Sequence, residues 1–172
     1  MHQRMKIRKK VLQMLEAGHT GAAVRDKIEA LNWEDLPTLT VYCPDDTVQS
    51  DSVATAPREL THDLTLVIEG LVAPAENPWD AMDDLSERIE DIMERDPFLG
   101  DTAAQSILAD TNMEVQDDGE HHLGFLSMTY AVTYRTRVKV HDSAFDDFNT
   151  AAVTYRHDGS DAHDTIILQE PT

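Results

Sequence analysis

The sequence predicts an α+β fold: a mixed, mostly antiparallel sheet with two helices packed on one face, plus an extended C-terminal tail. Three observations lead there. Apolar and polar residues alternate over 59–72, 107–115 and 125–136, the period of strands that bury one face. Two segments, 6–17 and 78–95, repeat at helical spacing instead. Strands come in runs with only two helices among them, which argues for helices gathered on one side of an antiparallel sheet.

Taken in order, Ile7, Val11, Met14 and Leu15 form one face of a first helix, which Gly18 stops. Its basic residues are read as the solvated side of a helix packed on a sheet. Residues 22–31 fit a short helix or, preferably, an edge strand with charges at alternate positions. "NWEDLP" makes a turn, and "TLTVYC" is a strand with Leu39, Val41 and Cys43 on one face. "PDDTVQSDSVATAP", 44–57, reads as a long loop. In 59–72 one face carries Leu60, His62, Leu64, Leu66, Ile68 and Val72. Asn77 caps the second helix and Pro78 suits its first turn. Met82, Leu85, Ile89, Ile92 and Met93 form its apolar stripe. Asp80, Asp83, Asp84, Glu87, Glu90, Asp91 and Glu94 fall in the opposite half. The last two strands put Ile107, Ala109, Thr111, Met113 and Val115 on one face, then Leu126, Met128, Tyr130, Val132 and Tyr134. "QDDGEHHLG" joins them as a loop too long for a two-residue turn.

A chain of 172 residues suits one domain, placed at 1–137, with 138–172 as an acidic C-terminal extension ordered within an assembly. Fourteen basic against 33 acidic residues give a net charge of −19, which excludes a broad phosphate-neutralising surface. A single cysteine, Cys43, excludes an internal disulfide and a Cys-rich zinc site. No apolar run spans a bilayer and the start "MHQRMKIRKK" lacks a signal-peptide core, so a soluble intracellular protein is expected.

Chemical signatures are weak. His121 and His122 are neighbours, and adjacent strand residues face opposite ways, so they are poorly placed to share an ion. "HDGSDAHD", 157–164, lacks calcium-loop spacing. His62, on an apolar face, is expected to be a hydrogen-bonded core or interface histidine. No nucleophile elbow, phosphate loop or dinucleotide fingerprint is present. The reading is therefore no catalytic residue, no metal and no cofactor.

The order of "IRKKVLQMLEAG", "LPTLTVYCPDD", "RELTHDLTLVIEGLV", "DDLSERIEDIM" and "LADTNMEVQDDGEHHLGFLSMTYAVTYRT" resembles the tail terminator family of bacteriophages and prophages, also called minor tail protein U. "LPTLTVY" and the closing "MTYAVTYRT" carry most of the likeness, which covers about residues 6–137. The resemblance implies a non-enzymatic structural virion protein of the tail and neck, assembled in the bacterial host cytoplasm. It implies a homo-hexameric ring that caps the tail tube, ends its polymerisation and offers the head-joining surface. The implied partners are other copies of the chain, the tail tube protein and a head-completion or connector protein. DNA passes through without specific binding, and no membrane is involved.

Under that resemblance, the acidic face of 78–95, or the acidic loops, is expected to line or rim the channel. The interface loops expected are 44–57 (Asp45, Asp46, Asp51, with Arg58 following) and 117–124 (Asp117, Asp118, His121, His122). The alternatives are another neck or tail-completion protein, a small metal-dependent enzyme using the histidine-rich segments, and an acidic DNA-mimicking binding protein. Tail length in a knockout, stoichiometric metal, and a small mass with a basic partner respectively identify these.

Overall fold

A computed structural model describes residues 2–26, 33–49, 59–72, 77–118, 121–138, 150–157 and 160–167. The chain divides into two units, Met1–Val138 and Lys139–Thr172. The first is an α+β unit with two helices and a five-stranded mixed, mostly antiparallel sheet.

Helix α1 spans Gln3–Ala17. The His2 side chain accepts from the Arg4 amide at its start, and Gly18 closes it. Ile7, Val11, Leu12 and Leu15 are its buried stripe. Two of its basic residues are tied down on the flanks, Arg8 to Asp26 at 2.6 Å and Lys10 to Asp96 at 3.4 Å. Strand β1 is only Ala23–Arg25, an edge strand running parallel to β2. A 3-10 turn, Trp33–Asp35, stands where "NWEDLP" predicts a turn.

Strand β2, Thr38–Val48, is longer than expected. The segment read as a loop from residue 44 continues as strand to Val48, and 50–58 lie outside the described residues. The reason is a bulge. Tyr42 pairs with Val67 and Asp45 with Thr65, so Cys43 and Pro44 together oppose one residue of β3. A bulge accommodates a proline, which has no amide to give the ladder, and lets pairing resume beyond it.

Strand β3, Glu59–Val72, and helix α2, Pro78–Glu94, follow the expected patterns closely. The Asn77 side chain accepts from the Trp79 amide at 3.1 Å. Strand β4, Gln105–Asp118, and β5, His121–Arg137, complete the sheet in the order β1-β2-β3-β5-β4. Because β5 inserts between β3 and β4, the β3–α2–β4 connection is a split crossover.

Two sequence expectations fail in the last hairpin. Pairing persists to Asp118 opposite His121, leaving only Gly119 and Glu120 between the strands. Polar composition concealed the continued pairing, and residues 119–120 lie outside the described residues. The faces of β4 also differ. Leu108 pairs with Tyr130 and Asp110 with Thr129, so Ala109 is an extra residue that resets the alternation. Leu108, Met113 and Val115 pack on the core, while Ile107, expected on that side, is 56% exposed.

Both helices cover one face of the sheet, where Leu39, Val41, Leu64, Leu66, Ile68, Leu126, Met128 and Val132 meet the two helix stripes. Close approach is visible at Gly124. A Cβ there would stand 3.0 Å from Met82 Sδ. The second unit contains an antiparallel hairpin of its own, β6 (Thr150–His157) with β7 (Ser160–Ile167), in which Thr150 opposes Ile167. Ala151–Tyr155 and Thr165–Ile167 thus lie in strands that pair with each other.

Candidate functional site

The acidic surface is built by α2. Its apolar stripe holds Met82, Leu85, Ile89, Ile92 and Met93 against the sheet, which turns the other side outward. Asp80, Asp83, Asp84, Glu87, Asp91 and Glu94 are exposed, and Glu90 is half-buried. None of the seven carboxylates is in an ion pair among the described residues. Seven unpaired carboxylates on one 17-residue helix make a strongly negative face that disfavours nucleic-acid phosphate. The face is interrupted by Arg88, which reaches back to donate to the Thr20 carbonyl at 3.1 Å.

The expected interface residues part company. Asp45 is exposed on β2. Asp46 lies opposite Leu64 on the helix-covered side and is an internal tie rather than a loop contact. Its Oδ2 accepts from the Tyr134 hydroxyl at 2.7 Å, and its Oδ1 meets His62 Nδ1 at 3.1 Å. A carboxylate accepts, so Nδ1 donates to Asp46, and the other ring nitrogen, Nε2, is hydrogen-bonded to Thr136 Oγ1 at 2.9 Å. The rings of His62 and Tyr134 stack at 4.5 Å as a cross-strand pair. Burial, then the bond to Asp46, pushes the Tyr134 phenol well above its usual range. This knot joins β2, β3 and β5 where the apolar core ends. Tyr134 and Thr136 were not singled out from the sequence. The available signal was that His62 and Tyr134 each bring a polar tip to an apolar face and so need a partner.

Asp51 and Arg58 lie outside the described residues. Asp117, Asp118, His121 and His122 are strand positions rather than loop positions, with Asp117 opposite His122 and Asp118 opposite His121. Of the "HDGSDAHD" segment, His157 ends β6 and Ser160 to Asp164 lie in β7. Among the described residues no group of three or more His, Cys, Asp and Glu side chains is placed to hold a metal ion. No helix of the described residues is long and apolar enough to cross a membrane.

The face of the sheet away from the helices mixes apolar side chains (Val67, Leu71, Phe125, Ile107) with polar pairs. Tyr42 donates to Glu69 Oε1 at 2.6 Å, which pushes its phenol up to about 12, and Gln49 Nε2 donates to Asp63 at 3.0 Å. Strand β4 is an edge of the sheet among the described residues. The chain matches no protein-family model, and a search of curated proteins finds no relative.

Proposed function

We propose that the protein is a structural part of a phage or prophage tail: a terminator-type subunit that assembles as a homo-hexameric ring on the end of the tail tube. The ring stops tube growth and offers the surface that the head-completion protein joins. The observation that carries this reading is the solvated, unpaired acidic face of α2. A conduit for DNA works by not retaining it, and like charge along its wall or rim achieves that. The order of motifs that resembles the tail terminator family, and a fourteen-residue edge strand available to neighbouring subunits, support it further.

The virion tail is then its place, and the tube protein, the connector protein and other copies of the chain are its partners. The test is mass in solution backed by negative-stain images, with and without tail tubes. A ring of six 19.3 kDa chains is expected. A species that stays monomeric in both conditions refutes the reading, and a ring with α2 wholly on its outer wall refutes the channel role of the acidic face. Deleting 50–57 should leave rings intact yet give overlong tails or tails that fail to join heads. Normal phage yield from that deletion would exclude a tube contact there.

A further inference from the structure

Between the C-terminal half of α2 and the start of β4 lies a cavity of about 480 Å³. Glu90, Met93, Glu94, Ser106, Leu108 and Tyr130 are in its wall. Ser106 Oγ and Tyr130 Oη are the buried side-chain polar atoms without a hydrogen-bond partner among the described residues. Tyr130 is only 3% exposed. A buried hydroxyl left without a partner costs about 1–3 kcal/mol, so two in one wall call for a ligand. The register places them on one side of the hairpin, since Leu108 opposes Tyr130 and Ser106 opposes Val132. Glu90 and Glu94 sit one helical turn apart above them, without an ion pair among the described residues. Burial, and then the charges of Glu90 and Glu94, raise the Tyr130 phenol far above its usual range, which keeps it a neutral hydroxyl.

These walls select the ligand. Two carboxylates and two hydroxyls offer acceptors and negative charge. Met93, Leu108 and Pro97 add apolar surface for an alkyl stem. The volume far exceeds the roughly 30 Å³ of a water molecule, and a magnesium ion demands a compact octahedron of oxygens. A guanidinium on an aliphatic stem matches both parts of the wall, and its planar fork suits paired carboxylates. Ser106 and Leu108 belong to the edge strand β4, so a segment laid along that edge delivers a side chain to the cavity.

We propose that this cavity binds an arginine side chain of a partner polypeptide, its guanidinium held by Glu90 and Glu94, with a shift of the wall bringing the enclosed hydroxyls of Ser106 and Tyr130 within reach. The proposal is independent of the tail role, because it concerns a pocket within one subunit.

The test titrates the full chain with Nα-acetyl-arginine methylamide, its uncharged citrulline isostere, and magnesium chloride, read by backbone amide NMR. Saturable shifts at Ser106, Leu108, Glu90 and Glu94 are expected with the arginine probe and not with the isostere. The Glu90→Gln/Glu94→Gln variant should weaken binding at least about tenfold. Tyr130→Phe separates binding from structure. It should raise the melting temperature of the free protein, by removing an orphaned hydroxyl, while weakening the probe. Failure of millimolar arginine probe to saturate, equal binding of the isostere, saturation by magnesium alone, or a destabilised Tyr130→Phe would each overturn the proposal.

Discussion

Replacing Asp46 by alanine removes the acceptor shared by Tyr134 and His62. In the folded protein both donors are enclosed: Tyr134 is 1% exposed and the His62 side chain 12%. Each loses a hydrogen bond to a charged group, and the Tyr134 hydroxyl has no route to water. An orphaned buried donor costs about 1–3 kcal/mol, so the two together should cost about 3 kcal/mol. In urea, with a slope of about 2 kcal/mol/M, the unfolding midpoint should fall by about 1.5 M. Tyr134→Phe alone should cost about 1 kcal/mol, because Asp46 keeps His62. The double variant leaves no orphaned phenol, so its loss should fall short of the sum by about 1–2 kcal/mol. Strict additivity, within about 0.3 kcal/mol, would refute the shared-acceptor account. So would an Asp46→Ala midpoint equal to that of the parent.

Three further outcomes are expected. Burial pushes the Cys43 thiol up from 9.0 to about 11, against the weaker opposing pull of Arg8 and Arg4. A folded state that holds its proton more tightly has that stability fully below pH 9 and loses it as pH rises through about 11. Unfolding midpoints measured across that window should drop, Cys43→Ala should flatten the drop, and an unchanged slope would exclude the thiol as its source. Gly18→Ala drives a Cβ into the Ile92 side chain where the end of α1 meets α2. It should cost about 1–3 kcal/mol in chemical denaturation, with part regained by adding Ile92→Val. Asn77→Ala removes the side chain that caps α2 and should cost about 1 kcal/mol, seen as a melting temperature lower by about 2–4 °C.

Strands and helices with a strong period were legible. The bounds of β3 and the cap, stripe and acidic face of α2 can be written from residue spacing, because one face of each must be apolar throughout. Phase was not legible wherever an extra residue enters a strand. Past Ala109, counting by twos mixes the two faces, which is how Ile107 was grouped with Met113 and Val115; Asp46 was read as loop because the polar composition after Pro44 hides a strand that resumes past a bulge. Bulges leave no mark in composition, and their phase becomes fixed only when a partner strand is in place. The knot of Asp46, His62, Tyr134 and Thr136 and the wall of Glu90, Ser106 and Tyr130 were invisible for a related reason. Their members stand far apart in the chain and meet through strand register. Of the expected surface residues, those on α2 were readable from one element alone, and they face outward as the helix period requires.

The bulge at Ala109 has a consequence for solubility. A fourteen-residue edge strand is a template on which chains of the same kind can stack into fibres. The extra residue breaks that template into two shorter stretches with different twist, and Asp110 and Glu114 place charge on the second. A visiting strand must skip a residue at Ala109, as β5 does, to register with both stretches. The edge thus stays open to a short, specific guest while refusing the endless row of identical ones that would clog a crowded cell.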